Sequence, residues 1–290
     1  MGIDPAAAAA IRQRIRQGGP VTVMTGAGIS AESGIPTFRG PEGYWTVGSR
    51  EYQPQEMATH AMFSRHPEAV WQWYLYRMDT CRRAEPNAGH HALVVMEKRL
   101  PGRFTLITQN VDGLHLRAGS RPETTFQIHG NVFYMRCAAP CTADIFSLPA
   151  GLPGKQKNEP LTAAEKRHLK CPRCGGWARP HVLWFDEMYD ETHFRFESAL
   201  ATAARTDLLI IVGTAGATNL PNQVARVVKH RGGTVIDINV ERNVFSDLAL
   251  SGGSGFFIQG PSGRVLPDIA GVIKTALKDE SGGQAPAVTE

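Results

Sequence analysis

A chain of 290 residues, 42% of them apolar, can bury one sizeable α/β core, or a core with a smaller module, without outside help. Its net charge of +4 mildly favours acidic partners, but no block of five or more lysines and arginines occurs, so nucleic acid is not implied. No apolar run reaches the roughly eighteen residues of a membrane span, and Met1 to Ala10 lacks the basic flank and apolar core of a secretory signal, so the expected compartment is the cytoplasm, with no membrane partner.

After an alanine run, the first expected strand is the β-branched stretch Val21 to Met24. It leads into the glycine-rich turn Gly26-Ala27-Gly28-Ile29-Ser30. Glycines there allow positive φ and close approach to a ligand, and amides opening the next helix can face an anion such as a phosphate. Simple close packing is the alternative use of such a turn. No strand-terminal acid follows about twenty residues later, which argues against a dehydrogenase.

A helical insertion is expected from about Gly40 to Glu85. Within it, Pro67 can open a helix whose apolar face is Val70, Trp71, Tyr74 and Cys81, and on which Tyr74 and Arg77, three apart, share one side. Cys81 stands alone and reads as a small core hydrophobe.

Further strands are expected at Phe104 to Thr108, Thr125 to Ile128, Leu208 to Gly213 and Thr234 to Asn239, alternating with helices. That alternation means a parallel sheet, with its binding crevice beyond the carboxyl ends of the strands. At those ends stand groups suited to chemistry. Gln109, Asn110 and Asp112 put two amides and a carboxylate in one turn, able to read a carboxamide such as that of nicotinamide, or to form an ordinary polar loop. His129, before Gly130, is a candidate general base because an imidazole titrates near neutrality, although a lone histidine is often structural. Asn239, in Ile238-Asn239-Val240-Glu241, offers a ribose partner or a turn-former.

Four of the five cysteines form close pairs, Cys137 with Cys141 and Cys171 with Cys174, flanking a polar stretch. In a cytosolic protein this spacing suits a tetrahedral thiolate zinc site better than disulfides, and four sulfurs with no open position make the metal structural. The ribbon spans about Cys137 to Arg179, and the residues from about Glu280 are expected to fray.

Taken in order from about Val21 to Asp268, these motifs resemble the sirtuin family: G-A-G-I-S with P-T-F-R-G, T-Q-N-V-D-G-L-H, I-H-G, the four cysteines, V-L-W-F-D-E, and G-T-A followed by I-N-V-E and V-L-P. The resemblance implies an α/β fold, a Rossmann-like parallel sheet domain (1–39, 86–136 and 180–290) with a small zinc-ribbon and helical module (137–179 and 40–85). It implies NAD-dependent removal of acyl groups from lysine, with NAD as co-substrate, zinc as structural metal and acyl-lysine proteins or peptides as partners. In the family's mechanism the acyl oxygen attacks the nicotinamide ribose and nicotinamide leaves. The histidine then helps a ribose hydroxyl attack the resulting imidate, giving free lysine and an O-acyl-ADP-ribose.

Carried over by motif, the cofactor residues are Gly26, Ala27, Gly28, Phe38, Arg39, Trp45, Gln109, Asn110, Asp112, Gly213, Thr214, Ala215, Asn239 and Glu241. His129 and Asn110 fall at catalytic positions, and Phe38 and Trp45 are the expected shield against water. Val182, Leu183 and Phe185, within Val182 to Glu187, together with Gly216 to Leu220, match the segments that hold substrate as an added strand. The Tyr74/Arg77 pair resembles that of class III sirtuins, in which tyrosine and arginine read the distal carboxylate of succinyl-, malonyl- or glutaryl-lysine, so desuccinylation or demalonylation is expected beside some deacetylation.

Departures from the family pattern are the three residues between Cys137 and Cys141, Ala215 where serine is usual, and the acid Asp186 where glycine is frequent, beside the substrate clamp. Mono-ADP-ribosyl transfer to protein and a non-enzymatic NAD or zinc binding module are the competing readings.

Overall fold

The computed structural model describes residues 3–36, 45–47, 50–157 and 159–281, with 45–47 and 279–281 as backbone only. Phe38 and Arg39, the Trp45 side chain and the chain end from 282 lie outside the described residues.

The strands are β1 (Val21–Thr25), β2 (Trp45–Val47), β3 (Arg50–Tyr52), β4 (Phe104–Thr108), β5 (Thr125–Gln127), β6 (Gly130–Cys137), β7 (Ile145–Ser147), β8 (Ala178–Val182), β9 (Leu208–Val212), β10 (Thr234–Asn239) and β11 (Phe256–Gln259). One six-stranded sheet takes the order β11-β10-β9-β1-β4-β5, and each of its pairings is parallel. The chain lays β4 and β5 to one side of β1 and returns to the other side for β9, β10 and β11. The order therefore reverses between β1 and β9, the position at which a doubly wound sheet places its ligand site beyond the strand ends.

Alternating side chains feed two cores, one on each face of the sheet. Val21, Val23, Leu208, Ile210, Val212, Ile236 and Ile238 pack with Ile11, Ile15, Leu93, Met96, Leu266 and Ile273 from helices Pro5–Arg16, Ala88–Arg99 and Ser262–Ser281. Met24, Ile107, Leu209, Ile211 and Val235 pack with Ala199, Val224, Val228 and Phe245 from helices Phe196–Ala203, Asn219–His230 and Val244–Leu250. All five expected strands are present: β1, β4, β9 and β10 are buried along nearly their whole length and read as largely apolar or β-branched runs, while β5 is a half-buried edge strand. The alanine run is itself the helix Pro5–Arg16, capped by the Asp4 side chain and opened by Pro5.

A third apolar cluster joins the helix Pro67–Arg83 to a smaller antiparallel sheet of order β7-β6-β8. Val70, Trp71, Tyr74 and Cys81 are all buried there, and the Trp71 indole N–H donates to the Ala178 carbonyl at 2.8 Å. This sheet runs from Gly130 to Val182, several residues beyond the 137–179 span on each side. Burial pushes the Cys81 thiol up to about 12, in keeping with its reading as an inert core residue.

The expectation of positive φ at Gly26 and Gly28 is corrected: neither adopts it, and Gly213 at the end of β9 does, with φ +59°. The glycines serve contact across the strand ends. A Cβ on Gly28 would lie 2.6 Å from the Gly213 Cα, and one on Gly26 would lie 2.6 Å from the Thr214 Cβ. Replacing Gly213 combines the left-handed penalty with a Cβ 2.7 Å from Gly28 backbone. Gly213→Ala is expected to lower stability by at least about 2 kcal/mol, read from the urea midpoint; an unchanged midpoint would show that the two loops are not held in contact.

Candidate active site

Three side chains link the β1 and β4 ends. The Ser30 hydroxyl donates to Asp112 Oδ2 at 2.7 Å, and Asn110 Nδ2 donates to Ser30 Oγ at 3.0 Å. The Leu114 N–H donates to the other Asp112 oxygen at 2.9 Å. All three side chains are buried, and burial raises the Asp112 carboxyl above its usual range, although the hydrogen bonds oppose this. Ser30 was not among the sequence candidates. The signal for it was its place in G-A-G-I-S, in the short helix Gly28–Ala31 that opens the turn.

Gln109 acts as a tie among three strand ends. Its Nε2 donates to the Thr25 carbonyl at 3.2 Å and to Thr214 Oγ1 at 2.9 Å. Its Oε1 accepts from the Thr218 hydroxyl at 3.1 Å. With both ends of the amide already engaged, Gln109 orders the β1, β4 and β9 loops. Asn239 Nδ2 donates to the Thr214 carbonyl at 3.0 Å, joining the β10 end to the same group, whereas Glu241 is exposed.

His129 follows β5 on this rim. Its Nδ1 lies 3.0 Å from the Gln109 carbonyl, and its Nε2 lies 2.7 Å from the Tyr189 hydroxyl. Burial pushes the imidazole down to about 4, with the Gln109 carbonyl pulling the other way. The ring is thus neutral at physiological pH and able to accept a proton. The structure brings His129 together with Gln109, and through it with Thr25 and Thr214 beside Gly26, so the candidate base and the glycine turns belong to one site.

Of the candidate substrate residues, Tyr74 is joined to the segment holding Val182, Leu183 and Phe185 through Trp184. The Trp184 indole N–H donates to the Tyr74 hydroxyl at 2.9 Å, and both rings are buried. Arg77 is half-buried, its guanidinium carbon 5.1 Å from the centre of the Trp73 ring, and its charge acts on the Tyr74 phenol. Val182 is buried and Leu183 half-buried, while Phe185 is 58% exposed and presents an open apolar surface. Asp186, the acid expected beside the clamp, accepts from the His60 N–H at 2.7 Å and the Ala61 N–H at 3.0 Å. It caps the helix His60–Arg65 and so fastens the clamp to the helical module. Glu187 is paired with Arg179 and accepts from the Trp184 N–H at 3.0 Å, bracing the same turn.

A family model described as the Sir2 family matches residues 26–219. The chain belongs to the Sir2 family. An NAD-dependent protein deacylase of Leptospira interrogans is 40% identical over 250 residues, 86% of this chain and 91% of that relative. An NAD-dependent protein deacylase 2 of Pyrobaculum aerophilum is 39% identical over 256 residues, covering 88% and 92%. The crystal structure of a Sir2 homologue in complex with NAD is similar at a TM-score of 0.76 and 33% identity, covering 94% of this chain and 95% of that one. The parallel sheet of this sirtuin is accordingly the Rossmann-like fold of its family.

The four paired cysteines of this Sir2 chain place their sulfurs within 4.8 Å of one another. Cys137 and Cys174 are 3.6 Å apart, and Cys141 and Cys171 are 3.7 Å apart. Disulfides would need about 2.0 Å, whereas thiolates on a tetrahedral zinc stand about 3.8 Å apart. The donor set fits zinc, and the longer gap between the first two cysteines does not prevent closure. With no open position the metal is structural. Elemental analysis is expected to find about one zinc per chain, and chelation to lower the melting temperature; metal-free protein with the same melting temperature would refute the site.

Proposed function

We propose that this chain, an NAD-dependent protein deacylase by family, prefers lysine acyl groups that end in a carboxylate, such as succinyl, malonyl or glutaryl, and removes acetyl as a second activity. The observation that carries the preference is the Tyr74/Arg77 pair on one side of helix Pro67–Arg83, with the phenol oriented by Trp184 from the clamp segment. Tyr74 accepts from that indole and keeps its own proton to donate, and burial holds it protonated by raising its pKa. A phenol and a guanidinium fork suit a planar carboxylate, and a charged partner makes such bonds worth roughly 1.5 to 3 kcal/mol. An acetyl group offers nothing for this pair to bind.

The residues of the crevice fit a dinucleotide. Gly26, Gly28 and Gly213 keep the β1 and β9 loops free of side chains at the sheet's reversal, and Ser30, Asn110 and Asp112 gather donors and a carboxylate beside it. When bound, NAD supplies a ribose carbon activated by its nicotinamide leaving group. The protein's part is to fix the acyl oxygen and that carbon in line and to keep water out. His129 takes the proton of a ribose hydroxyl at Nε2, the nitrogen left basic by the Nδ1 contact with Gln109. Val182, Leu183 and Phe185 hold the peptide backbone as an added strand, and the role of shield against water is assigned to Phe38 and Trp45 from their motif alone.

We divide the chain into a sheet domain of 1–39, 86–136 and 180–290 and a small module of 40–85 and 137–179; the separate apolar clusters favour two units, with the module's cluster reaching past those bounds to Val132, Met135, Val182 and Trp184. We place the enzyme in the cytoplasm, where its cysteines stay reduced. Among the described residues no helix is long and apolar enough to cross a membrane.

The preference is tested with acetyl-, malonyl-, succinyl- and glutaryl-lysine peptides, with and without NAD. Arg77→Met is expected to cut kcat/KM for succinyl-lysine at least tenfold while changing the acetyl value less than threefold; equal losses would reject the carboxylate-reading role. His129→Ala is expected to abolish turnover of every peptide with unchanged circular dichroism, and retained turnover would reject the base assignment.

A further inference from the structure

The His129 ring is held from both nitrogens, and the second holder is Tyr189. A backbone carbonyl can only accept, so the 3.0 Å contact with Gln109 assigns the proton to Nδ1. The lone pair of the neutral ring then lies on Nε2, and the Tyr189 hydroxyl, 2.7 Å away, donates to it. Tyr189 is half-buried and stacked on Phe196 with ring centres 6.3 Å apart. Burial pushes its phenol up to about 12, so it remains a donor at any pH the enzyme meets.

The chain around this contact ties it to substrate binding. Tyr189 lies four residues after Phe185, and the same segment grips the base a second time where the Leu183 N–H donates to the His129 carbonyl at 3.0 Å. Thr218, from the opposite side of the clamp, sits against the phenol oxygen. Both walls that receive the peptide therefore converge on one hydroxyl, and that hydroxyl rests on the nitrogen that does the chemistry.

We propose that Tyr189 is the positioning residue of the general base, holding the His129 ring in the Nδ1–H tautomer and releasing Nε2 to the substrate's ribose hydroxyl when that group arrives. The proposal rests on the reading of His129 as the base. In the step itself the ribose O–H bond breaks and an Nε2–H bond forms, the electron pair stays on the ribose oxygen, and Tyr189 keeps its own proton. Nicotinamide departure and return precede this proton transfer and do not use it. Among the described residues, the titratable group touching the imidazole is the Tyr189 phenol, and no charged side chain contributes to the shift of the ring.

The consequence has a definite sign. A donor on Nε2 favours the neutral ring and opposes protonation. Tyr189→Phe keeps the ring stacking and removes the donor, so His129 should protonate at higher pH, by roughly half a unit to one unit. With an acetyl-lysine peptide and NAD, the variant is expected to lose about fivefold in kcat and to show the acid limb of kcat/KM moved to higher pH. KM for NAD and the rate of exchange of labelled nicotinamide should stay within about twofold of the parent. A kcat and acid limb equal to the parent would overturn the proposal. So would a rise in kcat, which would make the phenol an obstruction, or an equal fall in exchange and deacylation, which would make it a general support of the cleft.

A second measurement needs no variant. Nitrogen-15 shifts of the His129 ring in the intact enzyme are expected to show the Nδ1–H tautomer, and the Nε2–H tautomer would overturn the proposal outright. His129→Ala separates the two readings: if it retains deacylation, the base assignment itself has failed, whereas if it is inactive and Tyr189→Phe matches the parent, only the role of Tyr189 has failed.

Discussion

The contact between the loops leaving β1 and β9 is the constraint on which the site depends. Gly28 and Gly213 approach so closely that a methyl group on either would meet the backbone of the other within 3 Å. The contact lies where the strand order reverses, so the same geometry that closes the sheet also sets the floor of the crevice. Thr214 extends that floor and hydrogen-bonds Gln109, whose backbone carbonyl fixes the His129 ring. Placement of His129 thus follows from packing of glycines more than eighty residues away along the sequence.

Two bodies of structure converge on that floor. The six-stranded sheet supplies the strand-end groups from one side, and the small antiparallel sheet with helix Pro67–Arg83 supplies the Tyr74/Arg77 pair and the candidate clamp segment Val182 to Glu187 from the other. The clamp residues are held by contacts with both. Asp186 caps a helix of the small module, Glu187 is paired with Arg179 of β8, and Leu183 binds the His129 backbone. A segment anchored in this way can present Phe185 to solvent without losing its own conformation.

Much of this was legible in the residues themselves, and the rest was hidden for physical reasons. β1, β4, β9 and β10 stand out because burial on both faces demands largely apolar or β-branched runs. β11 was missed because Phe256–Gln259 has four half-buried or exposed edge residues, preceded by glycines and serines that read as loop. The small sheet's true extent was obscured by the register shift between Gly130 and Met135, which interrupts regular alternation. The cysteine pairs, His129 and the Asn110/Asp112 turn were visible as motifs. Positive φ was assigned to Gly26 and Gly28 because local spacing does not reveal that the crowding comes from another strand. Tyr189 was invisible for the same kind of reason: it meets His129 sixty residues away, through a contact that no periodicity encodes.

The most direct test of the central claim, that this crevice joins departure of nicotinamide to capture of the acyl oxygen, is mass spectrometry of the products formed from NAD and a succinyl-lysine peptide. The account predicts nicotinamide, free lysine peptide and O-succinyl-ADP-ribose in equal amounts. A peptide that keeps its succinyl group and gains ADP-ribose, or free succinate released without consumption of NAD, would contradict it.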